Sequence, residues 1–213
     1  MSQAEMRVTQ QPDVAEIARS QAYMLLSVLL AAPPDADLLA RLRGLAPDGS
    51  RWGAHLADIA RVAAMSPADV EREFNRLFIG LDRGELVPYA SWYLTGFLQD
   101  RPLVALRDDM ARLGIARSGG AAEPEDHAAG VLEIMAGLLA GRFPAASPSD
   151  AAAFHARHIA PWLPRFLDDL QGAEAAVFYR PVAALGRLLM EIEKETMVPA
   201  TAGTRVTKGT AHV

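Results

Sequence analysis

Apolar residues recur along this chain at intervals of three and four, as in Ile17, Met24, Leu25, Val28 and Leu29 and again in Leu185, Leu188, Leu189 and Ile192. That is the spacing of one face of an α-helix. No segment alternates with the period of two that a half-buried strand requires. Breaks fall at Ala32-Pro33-Pro34, Ala46-Pro47-Asp48-Gly49, Gly80 to Pro88, Gly114 to Ala122, Gly141 to Pro148 and Gly172, each marked by glycine or proline. The stretches between them predict helices over 14–32, 36–45, 52–64, 67–78, 91–97, 102–113, 124–140, 148–159, 161–170 and 174–197, an all-α architecture of about eight to ten helices. Ser66-Pro67-Ala68-Asp69 and Ser147-Pro148-Ser149-Asp150 each set a hydroxyl cap, a proline at the first helical position and an acid at the third, so both open helices. Glu123-Pro124-Glu125-Asp126-His127 reads similarly, with Glu123 as the cap and Asp126 as the third helical residue.

One helical domain is therefore expected over residues 10–197. Gly80, Gly84 and Pro88 in a single connection suggest a hinge at about 79–90 joining two lobes, compatible with a monomer or a domain-swapped dimer. Beyond Met197 the large apolar residues give out, which predicts a disordered tail over 198–213.

Composition narrows the classes. With 213 residues, 51% hydrophobic and 22% charged, the chain can build one sizeable core. Cysteine is absent, which removes disulfides, thiolate metal sites and cysteine nucleophiles and suits a reducing cytoplasm. A formal charge of −5 is the wrong sign for a nucleic-acid partner. The most apolar run, Ala22 to Ala32, falls short of the ~20 residues that cross a bilayer. The segment before it balances Arg7 and Arg19 against Glu5, Asp13 and Glu16, unlike the cationic start of an export signal, so neither insertion nor secretion is expected.

The common catalytic signatures are missing: no phosphate loop, no nucleophile elbow, no His-Glu-x-x-His and no dinucleotide fingerprint. His155 and His158 are three apart and would share a helix face, but no Glu-x-x-His pairs complete a bundle-type metal centre, and partly exposed helix histidines are the plainer reading. No catalytic residue, metal or cofactor is assigned.

The connection from Ile79 to Gly96 is unusual for a linker, since it holds Tyr89, Trp92 and Tyr93, amphipathic rings suited to an apolar partner at a wet surface. Taken in order, Glu73-Phe74-Asn75-Arg76-Leu77-Phe78, Gly80, Pro88-Tyr89-Ala90-Ser91-Trp92-Tyr93, Glu123-Pro124-Glu125-Asp126-His127 and Glu133-Ile134-Met135, the chain resembles the TorD/DmsD family of molybdoenzyme maturation chaperones. The resemblance spans about residues 18–195. The family's aromatic-x-x-Leu-Phe motif falls on Phe74, Leu77 and Phe78, with phenylalanine where tyrosine is common.

The resemblance implies a cytoplasmic chaperone that binds the twin-arginine signal peptide of a molybdopterin-dependent oxidoreductase, of formate dehydrogenase or DMSO/TMAO reductase type, and keeps the apo-enzyme from export until its cofactor is inserted. The contacts it implies are Asp126 and His127 first, with Leu77, Phe78, Pro88, Trp92 and Pro124 shaping the groove. Tyr89 and Glu123 join them as neighbours on the residue reading. A leader that pairs two guanidiniums with an apolar stretch needs carboxylates beside a water-excluding groove, and Glu85, Glu123, Glu125 and Asp126 are candidates, Asp126 foremost. Two other readings stand beside this one: an assembly factor that grips the mature part of a non-exported molybdoenzyme, and a metal- or nucleotide-dependent helical enzyme.

Overall fold

The computed structural model describes residues 13–80, 83–116 and 123–197; the tail expected over 198–213 lies outside them. Ten α-helices follow one another: α1 (Val14–Ala31), α2 (Ala36–Arg43), α3 (Arg51–Val62), α4 (Pro67–Phe74), α5 (Ala90–Thr95), α6 (Arg101–Arg112), α7 (Ala128–Leu139), α8 (Pro148–Phe154), α9 (Leu163–Gly172) and α10 (Tyr179–Met197). The described residues contain no β-strand, and the all-α prediction stands.

Helix α7 is the axis of the fold, with ten of its twelve residues buried. Its most extensive neighbour is α1. Small residues at Ala22, Ala129 and Ala136 let the two backbones approach, and Ser20 and Ser27 on α1 donate to the carbonyls of Ala136 and Ala129, each at 2.8 Å. By length and composition α1 could cross a bilayer, more than the 22–32 run alone suggests. In this fold it is a core helix instead: Tyr23, Leu26, Leu29 and Leu30 are buried, and Arg19 forms two 2.6 Å bonds to the fully buried Glu193 on α10. Helix α10 packs in turn on α9 and α3. A single hydrophobic cluster runs from Ala22 to Met190, so both ends of the described chain share one core.

The caps at Ser66 and Ser147 sit where their motifs predict. Asp69 N–H bonds to Ser66 Oγ at 3.2 Å, and Asp150 reaches back to Ser147 N–H at 2.7 Å. Four boundaries differ from the sequence reading. The segment predicted as one helix over 67–78 leaves α geometry at Phe74 and completes a wider π-turn over Asn75–Ile79; 148–159 does the same over His155–Ile159. The predicted start at Glu174 moves to Tyr179 because the buried Glu73 carboxylate, on α4, takes the N–H groups of Val177, Phe178 and Tyr179 at 2.8–2.9 Å. The predicted start at Pro124 moves to Ala128.

The connection suggested as a hinge is tied to the π-turn before it. Gly80 N–H closes on Asn75 O at 2.7 Å, and Glu85 and Leu86 donate to Arg76 O and Leu77 O at 3.1 and 2.8 Å. A side chain at Gly84 would stand 2.5 Å from the Phe78 carbonyl carbon, so only glycine permits that contact.

Candidate functional site

The segment 123–127 is a tight connection rather than a helix start. Pro88 to Ala90 runs antiparallel to Asp126 to Ala128, Ala90 N–H meeting Asp126 O at 2.9 Å and Ala128 N–H meeting Pro88 O at 2.8 Å. Asp126 lies in the turn that His127 N–H closes on Pro124 O at 3.1 Å, His127 itself is extended, and α7 is delayed by four positions. Glu123 is consequently not the cap. His127 is, its Nδ1 accepting from Ala129 N–H at 3.2 Å. An acceptor at Nδ1 places the proton of the neutral ring on Nε2. Burial holds His127 below its ordinary pKa of 6.5, against the opposing pull of Glu123 and Asp126.

Asp126 is not the third residue of α7 but a cap for a different helix. Its Oδ2 accepts from Ser91 N–H at 2.9 Å and Ser91 Oγ–H at 2.5 Å, satisfying the start of α5, whose own cap residue Tyr89 has no side-chain bond to offer. Asp126 is 1% exposed. Its other oxygen, Oδ1, is buried without a hydrogen-bond partner among the described residues. A buried carboxylate oxygen left in this state is costly, and the cost calls for a reason.

A cleft supplies one. About 320 Å³ in volume, it is lined by Asp126 and by the apolar side chains of Ala90, Leu94, Pro102, Ala105, Leu106 and Val131, with Thr95, Arg101, Arg157 and His158 completing it. Arg157 lies 3.0 Å from Asp109, and His158 Nε2 lies 2.7 Å from the same carboxylate. Burial pushes Asp109 up, but His158 and Arg157 outweigh it and hold the group below its ordinary value. Burial likewise keeps His158 below 6.5 despite Asp109. Asp126, with one oxygen unused, thus borders a cleft whose lining is largely hydrocarbon.

Around that carboxylate the structure gathers some of the sequence candidates. Tyr89 packs edge-on to His127 with ring centroids 5.0 Å apart, and its hydroxyl donates to Glu123. Pro88 and Pro124 supply carbonyls to Ala128 and His127. Trp92, half-buried on α5, carries the Arg83 guanidinium 5.2 Å from its ring centre. Leu77 and Phe78 sit elsewhere: Leu77 is fully buried in the core, and Phe78 packs against Phe74, Phe166 and Tyr179. Neither lines the cleft. Of the other acids, Glu85 is engaged by the N–H groups of Glu174 and Ala175, and Glu125 by Arg107.

His155 and His158 are buried rather than partly exposed, and the wide turn points them apart, His158 to Asp109 and His155 toward Arg19 and Glu193. Among the described residues no cluster of acids and histidines has the makings of a metal site.

Comparison with known proteins agrees with this architecture. The profile of the nitrate reductase delta subunit family matches residues 45–168. The chaperone protein TorD of Vibrio cholerae is 28% identical over 175 residues, 76% of this chain and 80% of that protein. The Tat proofreading chaperone DmsD of Salmonella typhi is 31% identical over 159 residues, 70% and 75% of the respective chains. In three dimensions the fold resembles the crystal structure of a candidate redox enzyme maturation protein from Archaeoglobus fulgidus, with a TM-score of 0.58, 19% identity and coverage of 81% of this chain and 93% of that one. With a family profile across more than half its length and chaperone relatives on either side of 30% identity, the chain belongs to the TorD/DmsD family of molybdoenzyme maturation chaperones, proteins that assist rather than catalyse.

Proposed function

We propose that this protein is a cytoplasmic chaperone that receives the twin-arginine signal peptide of a molybdopterin-dependent oxidoreductase, seating an arginine on Asp126, and holds the apo-enzyme back until its cofactor is in place. The single observation that carries the reading is the Asp126 carboxylate, on the wall of a largely apolar cleft, with Oδ2 committed to the start of α5 and Oδ1 buried without a partner among the described residues. A guanidinium is planar, keeps its charge and is weakly hydrated, so it matches an acceptor set in hydrocarbon better than an ammonium does. Asp126 is nearly inaccessible, so the wall of the cleft must part for the guanidinium to reach it. The lip also carries Arg101 and Arg157. Arg157 is neutralised by Asp109, whereas Arg101 faces the incoming cation, which favours one arginine in the cleft and the second outside it.

His127, with its Nδ1 engaged as a cap, is left with the Nε2–H as its ring donor, a contact for a peptide carbonyl. The Tyr89–Glu123 pair beside it offers a further anionic surface. Titration calorimetry with a synthetic twin-arginine leader tests the reading: micromolar binding that is lost when both arginines become glutamine is expected. Absence of binding, or indifference to the replacement, would overturn it.

A further inference from the structure

We propose that the exposed shelf formed by Leu94, Phe97, Leu98 and Val104 carries the apolar stretch of the leader, continuing the Asp126 cleft outward across its lip; this deepens the reading above and rests on it. Nine large hydrophobic residues among those described are exposed, and four of them fall in this one stretch of chain. Scattered exposed apolar residues are ordinary, but a cluster marks a contact surface. Phe97 is 70% exposed and Leu98 54%, so neither gives the fold much in return for facing water.

The turn that presents them is firmly built. Gly96 ends α5 in the left-handed conformation at φ 81°, and Gln99, at φ 55°, is the sole non-glycine residue with positive φ among the described residues. A side chain held there is strained, and strain persists where the surroundings enforce it. They do so here: Thr95 Oγ–H donates to Ser91 O at 2.9 Å while accepting from Phe97 N–H at 3.3 Å, and Asp100 caps α6 through Arg101 N–H at 2.7 Å.

Continuity and size identify the occupant. Leu94 belongs both to the shelf and to the cleft wall, and Thr95, Arg101 and Pro102, from the same turn and the start of α6, line the cleft as well. At about 320 Å³ the cleft is at the lower limit of small-molecule pockets, room for a side chain or two and not for an apolar peptide segment. A leader whose arginine enters the cleft must lay its following hydrophobic residues outside, and the exposed apolar residues of 94–104, of which Leu94 also lines the cleft, are the surface offered next to it. An amphipathic helix laid across such a surface buries its apolar face there.

The test is a double-mutant cycle with the full chain. The protein is wild type or carries Phe97→Ser with Leu98→Ser. The leader peptide is intact or has the leucines of its apolar stretch replaced by alanine. Loss of two large apolar contacts predicts that the protein substitution weakens the intact leader about tenfold or more, weakens the alanine peptide less than about threefold, and leaves the melting temperature unchanged. Equal loss with both peptides, or none with either, overturns the shelf, while continued dependence on the leader's arginines would keep the Asp126 reading standing. Failure of every peptide to bind wild-type protein overturns both. Sedimentation of the wild type and of the variant, and binding to phosphatidylglycerol vesicles, complete the test: a shelf substitution that abolishes self-association or vesicle binding while sparing the leader assigns the surface to a second copy or a membrane, and overturns the proposal.

Discussion

Two buried carboxylates in this molecule begin in the same predicament and end differently. Glu73 on α4 and Asp126 before α7 each cap a helix from another part of the chain. Glu73 engages both oxygens, Oε1 with Val177 and Tyr179 and Oε2 with Phe178, and nothing about it is left over. Asp126 uses one oxygen on Ser91 and leaves the other orphaned at a cleft. The contrast separates a carboxylate wholly used by the fold from one with an acceptor left over, the one proposed above for the leader, where burial alone would rank them together.

The largest expected effect belongs to the structural partner. Glu73→Gln replaces charge-assisted acceptors for three backbone donors with a single carbonyl, and should cost about 3 kcal/mol or more of folding stability in chemical denaturation, with leader affinity unchanged once the protein is folded. Asp126→Asn should reverse that order. The amide keeps an acceptor for Ser91, so stability falls by only about 1 kcal/mol, while leader binding weakens by about 1.5–3 kcal/mol in calorimetry, the worth of a hydrogen bond to a charged group. Should the two variants behave alike in both measurements, the distinction between the carboxylates is false.

Much of this was legible beforehand, and the misses share a cause. The apolar stripes and the Ser66 and Ser147 caps place their helices because the forces there are local. Glu123-Pro124 has the same local signature and fails, because pairing of 88–90 with 126–128 satisfies those backbone groups first. The start at Glu174 fails because Glu73, 104 residues away or more, claims the amides of 177–179. Asp126, expected as the third residue of α7, instead caps α5: the chain shows an acid beside a proline, and only the fold shows which helix it serves. Glu73 had a signal that could have been read, an acid lying on the stripe formed by Val70, Phe74 and Leu77, all of them buried. Glu193 has the same signature, four residues after the buried Leu189. The two π-turns left no mark in the spacing, so the separation of His155 from His158 could not be foreseen.

The histidines sharpen the comparison through pH. His127, His155 and His158 are all held below 6.5 by burial, so the unfolded chain binds protons that the folded chain refuses. Stability should therefore be level above about pH 7.5 and decline as pH falls through about 6.5, read as melting temperature at pH 7.5 and 5.5. Asp109 and Asp150, held below 3.8 with Asp150 at about 2, keep their contribution across that window and lose it only at more acid pH, below about 4. The smallest effect is at the lip: Arg101→Gln removes an exposed cation from the approach to the cleft and should tighten leader binding by a few tenths of a kcal/mol, an advantage that fades as salt is raised.

The central claim, that the orphaned oxygen of Asp126 takes an arginine of the leader, is tested most directly by pairing Asp126→Asn with the arginine-to-glutamine leader in one thermodynamic cycle. The account predicts that the protein substitution weakens the arginine leader by about 1.5–3 kcal/mol and leaves the residual affinity of the glutamine leader unchanged. An equal loss with both leaders would mean that Asp126 acts only through the fold, and would contradict it.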